Sequence, residues 1–244
     1  MVEGTVRSSA QRLAEVRCKV AWVALVILGA CSGSFGDRVR EQVRHSIRAG
    51  VSPAVRVDNV AGTVRVTAGS GDAVDVEATK YGNDVEDLRN ITVTVRRTGD
   101  GVAIASSYEG GVHSGGVRYR IVVPQDASLN VSNVAGAVDV AGIRGNILVG
   151  TQAGEITVDA GRVAGERSID LRATTGALRL TIARQSSARV DAYSTVGAFS
   201  SDVPGITAQR ENLVGARGGG TIGSGSARIS LTTTTGAIEL FAHP

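Results

Sequence analysis

The sequence predicts an all-β protein: a right-handed parallel β-solenoid with coils of about 20 residues, preceded by a signal peptide and a short helix. Three observations lead there. A glycine-centred pattern recurs six times, at Gly62, Gly136, Gly154, Gly176, Gly197 and Gly236. Seven and five residues before each glycine stand two small or apolar residues, for example Leu129/Val131, Ile147/Val149, Ile169/Leu171 and Ile229/Leu231. Two and four residues after it stand two more, for example Val64/Val66, Val138/Val140, Ile156/Val158 and Leu178/Leu180, and only Ser201 in the fifth copy is polar. A spacing of two on either side of a glycine describes two short strands, each with one buried face, meeting at a tight corner. One such unit cannot bury its own apolar stripe, so stacking is implied.

Composition agrees. Gly supplies 32 of 244 residues, and Trp, Tyr and Phe together only 8. Stacked strands with small corners suit that balance better than an aromatic-rich core. With 42% hydrophobic residues in a regular pattern, the chain is not of the disordered class. The net charge is +3, of which +2 falls in the first 30 residues. No basic stripe interleaved with aromatics is present, so a nucleic-acid partner is not expected.

Residues 1–30 read as a signal peptide. Arg7, Arg12, Arg17 and Lys19 precede an 11-residue apolar run from Val20 to Ala30. That run is too short to span a bilayer, which takes roughly 20 apolar residues, but it has the length of a signal-peptide core. It ends Leu28-Gly29-Ala30-Cys31, similar to a bacterial lipoprotein box. Small residues before the cysteine admit the backbone to the peptidase, and the Cys31 thiol is the group that would take the lipid. Ordinary secretion and an uncleaved anchor are the alternatives. Cys18 would leave with the signal, so no disulfide within one mature chain is expected. By resemblance to Gram-negative lipoproteins, Ser32 favours sorting to an outer membrane if the organism has one. Otherwise the outer face of the cell membrane is expected.

Residues 31–50 read as a lipid-anchor tether and a short amphipathic helix. Ser32-Gly-Ser-Phe-Gly36 is a flexible spacer. From Asp37 to Arg48, Val39, Val43 and Ile47 recur every four residues, as do Arg40, Arg44 and Arg48, and Gly50 would end a helix. Such a helix would lie on anionic lipid or serve as a solvated linker.

Residues 51–244 form the repeat domain, looser over 51–126 and regular over 127–244. From Gly136 the glycine spacings are 18, 22, 21 and 39. The last is close to two repeats, placing a degenerate corner near Gly215–Gly220. Small residues flank the glycines, such as Ala135/Ala137 and Thr235/Ala237, as a corner stacked on its own copies requires. Arg65, Asp139, Thr157, Arg179, Ser200 and Glu239 lie between the paired positions and should face outward. An antiparallel sandwich with a hairpin at each glycine is the alternative.

The run Val57-Asp-Asn-Val-Ala-Gly-Thr-Val-Arg-Val66, then Val74-Asp-Val-Glu-Ala-Thr-Lys80, then Arg118-Tyr-Arg-Ile-Val-Val-Pro124 resembles the bacterial "putative adhesin" family of β-strand-repeat proteins of unknown function. Thr174-Thr-Gly-Ala-Leu-Arg-Leu180 and Thr233-Thr-Thr-Gly-Ala-Ile-Glu-Leu240 fit its repeat, and the resemblance covers roughly residues 50 to 244. It implies an extracytoplasmic β-solenoid, often lipid-anchored, with no established reaction.

No catalytic constellation is expected. His45, His113 and His243 lie in a linker, a loop and the C-terminal tail, unpaired with Cys or one another, so no metal site is expected. Gly69-Ser-Gly-Asp-Ala-Val-Asp75 has the flavour of a calcium turn but occurs once, and reads as a polar turn. Neither a Gly-x-Ser-x-Gly elbow nor a phosphate loop occurs. The expectation is therefore a non-enzymatic, cofactor-free, lipid-anchored envelope protein. Its partners would be the membrane through Cys31 and an envelope or extracellular protein or glycan. The alternative is a self-associating scaffold or envelope-maintenance protein facing the periplasm or wall.

Overall fold

The computed structural model describes residues 39–110, 114–211 and 213–243. Cys31 and the Leu28-Gly29-Ala30 box lie outside the described residues. In chain order the described elements begin with β1 (Val39–Arg48), the pair β2 (Ala54–Ala61) and β3 (Val64–Gly69), then β4 (Ala73–Gly82), the one-turn helix α1 (Val85–Arg89) and β5 (Ile91–Arg97). The pairs β6 (Gly101–Tyr108)/β7 (Gly116–Pro124), β8 (Ser128–Ala135)/β9 (Val138–Ala141), β10 (Ile147–Ala153)/β11 (Ile156–Gly161) and β12 (Ser168–Thr175)/β13 (Leu178–Ala183) follow. The chain continues through β14 (Ala188–Val196)/β15 (Phe199–Ser201), the hairpin β16 (Ile206–Glu211)/β17 (Gly215–Ile222) and the pair β18 (Ala227–Thr235)/β19 (Ile238–His243).

Each pair sends its first strand to a ten-stranded sheet and its second to a nine-stranded sheet. The paired strands align parallel and in register. Val102, Val55, Leu129, Ile147, Ile169, Ile229 and Val190 form one buried row across the ten-stranded sheet. Tyr119, Val64, Val138, Ile156, Leu178, Ile238 and Phe199 form its counterpart in the nine-stranded sheet. The inward faces of both sheets belong to a single core cluster. A fully buried Val, Leu or Ile is worth about 1.5–3 kcal/mol against exposure, and each pair contributes several. A one-residue slip would turn its whole row outward.

The stack differs from a simple solenoid in its order. The pair β2/β3 sits between β6/β7 and β8/β9, and β18/β19 sits between β12/β13 and β14/β15. The first and last pairs of the chain are therefore each one place in from an end. Antiparallel strands then flank three of the four sheet edges: β4 and β1 beyond β7, β5 beyond β6, and β17 and β16 beyond β14.

Two expectations are corrected. Residues 39–48 are not helical; they form β1, paired antiparallel with β4 over ten residues. A spacing of four also keeps residues on one face of a strand, so Arg40, Arg44 and Arg48 are exposed while Val39, Val43 and Ile47 are half-buried. The glycines near 215–220 are not a degenerate corner. They lie in β17, where Gly218 makes room for the Phe199 ring and Gly220 for the backbone of Gly205. The turn at Gly69–Asp75 joins β3 to β4, and the Asp72 carbonyl accepts from the N–H groups of Ala49 and Gly50.

Candidate functional site

The six repeat glycines stack into one column, in the spatial order Gly62, Gly136, Gly154, Gly176, Gly236, Gly197. All have positive φ, between 119° and 153°. A Cβ on any of the last five would collide with the carbonyl oxygen of the glycine beside it, and one on Gly62 with that of Val117. Only a residue without a side chain lets the corners approach this closely. Their role is structural.

Three residues before each glycine is a position the sequence pattern did not single out. It holds Asn59, Asn133, Thr151, Ala173, Thr233 and Ser194 in stack order, all buried. Asn133 Nδ2 donates to the carbonyls of Gly136 (2.8 Å) and Gly62 (3.3 Å), and Asn59 Nδ2 donates to Asn133 Oδ1 (3.0 Å). Ser106 Oγ donates to Asn59 Oδ1 (2.8 Å). Ser194 Oγ donates to Gly236 O (2.8 Å) and Thr233 Oγ1 to Gly176 O (3.1 Å). In this polar column Asn59, Asn133, Thr233 and Ser194 thus satisfy corner carbonyls that strand pairing leaves over, whereas the buried Thr151 hydroxyl has no partner. The recurrence of short polar side chains three residues before glycine was the available signal.

At the opposite corner, Arg167 is buried without a carboxylate. Its guanidinium donates to the carbonyls of Ala160 (2.9 Å), Gly145 (3.0 Å), Arg162 (3.0 Å) and Ile143. Burial lowers its pKa to about 10, so it stays charged at neutral pH. Near the other end of the stack, burial pushes the Tyr108 phenol up to about 12 and the Tyr119 phenol further up. Tyr119 is fully buried, and its hydroxyl has no hydrogen-bond partner. The neighbouring Ser106 hydroxyl is spent on Asn59.

The two outer faces differ. Across the nine-stranded sheet, one row reads Arg44, Glu77, Arg120, Arg65, Asp139, Thr157, Arg179, Glu239, Ser200. Its charges neutralise one another: Arg44–Glu77 (3.1 Å), Arg65–Asp139 (3.1 Å) and Arg179–Glu239 (2.8 Å), with Glu155 also on Arg179 (3.0 Å). The hydrogen bond from Arg179 to Glu239 raises the arginine pKa. All six positions expected to face outward fall in this row.

The outer face of the ten-stranded sheet has a different make-up, with hollows of about 220 and 500 Å³ on it. Short side chains recur on it, among them Ala103, Ala105, Ser132, Gly150, Ser230 and Thr232, beside exposed Arg189, Arg228 and Leu148. Its charged pairs, Arg56–Asp58 (2.8 Å) and Arg172–Asp170, close within single strands. Tyr193 stands 41% exposed on this face. His45 lies on β1, and His243 approaches Asp159 (3.5 Å) at the end of β19. Among the described residues no three His, Cys, Asp or Glu gather as a metal site, and no helix is long and apolar enough to cross a membrane.

These features define a stacked parallel β-repeat protein whose corners are built from one glycine per unit. Residues 112–240 match the Toastrack DUF4097 family model, more than half of the chain, and the protein belongs to that family. The crystal structure of a putative cell adhesion protein from Clostridium sporogenes superposes with a TM-score of 0.64 at 12% identity, covering 85% of this chain and 100% of that one. At that identity the likeness is one of fold. A putative adhesin from Bacteroides fragilis matches at 10% identity over 83% of this chain and 97% of that one, with a TM-score of 0.23. Among curated proteins there is no match.

Proposed function

We propose that this protein is a non-enzymatic, extracytoplasmic binding protein, tethered to the membrane by a lipid on Cys31, that offers its ten-stranded sheet to a protein or glycan partner. The carrying observation is the contrast between the two faces. The nine-stranded sheet spends its outer charges on one another, strand to strand. The ten-stranded sheet presents short side chains, an exposed aromatic and open hollows along its parallel strands. Rows of short side chains running across parallel strands, with a cleft beside the aromatic, suit recognition of an extended partner. The description of the Clostridium sporogenes neighbour as a putative cell adhesion protein supports the same reading.

A scaffold built by end-to-end stacking is the second reading, and β15 favours it: this three-residue strand is an edge of the nine-stranded sheet and could accept another strand. Against it, β1, β5 and β16 close the other edges with antiparallel strands, which interrupt the parallel register a second copy would have to continue.

Protease treatment of intact and lysed cells tests the proposal, with Cys31→Ala alongside. Digestion on intact cells is expected. Protection until lysis would favour the scaffold or envelope-maintenance reading. An unchanged membrane fraction for Cys31→Ala would overturn the lipid anchor.

A further inference from the structure

On the ten-stranded sheet, β14 turns Asp191 and Tyr193 outward, two residues apart. Ser230 and Thr232 of β18 stand beside them on one side, and Gly219 and Arg217 of β17 on the other. Asp191, Tyr193, Arg217, Ser230 and Thr232 line a cleft of about 220 Å³. Three features set this place apart. Tyr193 is the large aromatic left exposed among the described residues. The Asp191 carboxylate makes no ion pair or hydrogen bond, unlike Asp58 and Asp170 on the same face. Gly219 puts no side chain beside that carboxylate, so the space next to it stays open.

We infer that this cleft is a saccharide subsite, an inference that rests on the binding function proposed above. The chemistry is that of a polyhydroxylated ring. The tyrosine face stacks on the apolar C–H face of a pyranose, as aromatic rings do wherever one side of a ligand is apolar and the other wet. The free carboxylate accepts from two neighbouring ring hydroxyls, and charge-assisted bonds of this kind are the stronger class. The hydroxyls of Ser230 and Thr232 both donate and accept. Arg217, opposite Tyr193, lines the same cleft as Asp191, so its lining holds one charge of each sign, which favours a neutral sugar over a cationic peptide. Along the Tyr193 row the surface continues through Thr232, Arg172, Gly150 and Ser132. With the Arg172 charge held by Asp170, that track leaves room for further units of a chain.

The test is retention of the full-length protein on an array of immobilised neutral oligosaccharides, acidic oligosaccharides and arginine-rich peptides. Binding to a subset of the neutral oligosaccharides is expected, weakened about tenfold or more by Tyr193→Ala and by Asp191→Asn. Arg65→Ala, on the opposite face, that of the nine-stranded sheet, should leave it unchanged. An unaltered melting temperature shows that each variant is folded, and the near-isosteric Asp191→Asn keeps the test open should Tyr193→Ala not fold. Retention of no saccharide, retention indifferent to both cleft variants, or retention only of acidic sugars or of peptides would overturn the inference. A protein digested on intact cells that binds no saccharide fails this inference alone, whereas a domain facing the cytoplasm fails the proposed function whatever the array shows.

Discussion

Gly176 lies so close to Gly154 that a methyl group on Gly176 would stand 1.8 Å from the carbonyl oxygen of Gly154. Gly176→Ala must move one whole coil relative to the next, and it also places a Cβ at φ 152°. Overpacking and backbone strain together should cost about 3 kcal/mol or more. Gly150→Ala is the control, because a Cβ there meets nothing within 4 Å. Chemical denaturation should show a large fall in midpoint for the first and almost none for the second.

The polar column is expected to respond in both directions. Asn133→Ala removes donors to Gly62 and Gly136 and leaves the Asn59 amide only its 3.3 Å bond to Gly62, a loss of about 2 kcal/mol. Ala173 shares a register row with Thr233, whose hydroxyl reaches the carbonyl of the neighbouring glycine. Ala173→Ser should likewise reach Gly154 and add about 0.5–1.5 kcal/mol. Thermal unfolding of the two variants checks the opposite signs.

Arg167 holds two successive loops through four backbone carbonyls. Arg167→Ala should cost about 3 kcal/mol through unsatisfied buried carbonyls. Arg167→Lys should recover only part, since an ammonium has three donors and lacks the planar fork. A lysine variant as stable as the parent would show that charge, not the fork, is what matters there.

The buried phenols set the alkaline limit. Tyr108 and Tyr119 have folded pKa values raised above the ordinary 10, Tyr108 to about 12. Below pH 10 both states keep the proton and the contribution is intact. Between about pH 10 and 12 the unfolded chain loses protons that the folded one retains, so stability falls as pH rises. Arg167, lowered to about 10, works in the opposite sense over this range. The decline should therefore be flattened by the Tyr108→Phe/Tyr119→Phe pair, measured as melting temperature against pH. At neutral pH Tyr119→Phe alone should be neutral or stabilising by up to about 1 kcal/mol, because its hydroxyl is buried without a partner.

The glycine corners and their flanking strands were legible because each unit carries the same signal: an alternation of two, a glycine, and an alternation of two. The order of units was not. Ile229/Leu231 matches Ile169/Leu171 and Val190/Ala192 equally well, and in a parallel stack any unit can neighbour any other in the same register. Val39, Val43 and Ile47 misled for a related reason, as a period of four satisfies one face of a helix and one face of a strand. The Tyr193 cleft was invisible because its walls come from β14, β17 and β18, which meet only once β18 has entered between β12 and β14. Asp191 and Ser230 are adjacent in the sheet but 39 residues apart in the chain.

The position of β18/β19 also bears on synthesis. A ribosome releases β14/β15 well before the strands that will separate it from β12/β13. The stack therefore cannot be completed by adding each new coil to the last, and until β18/β19 is made a gap one coil wide must stay open or be filled by the wrong neighbour. A chain truncated before Ala227 would leave the inner row of β14 facing that of β12 across a missing strand. The pair β18/β19 thus acts as a keystone, closing a stack whose other coils are made before it.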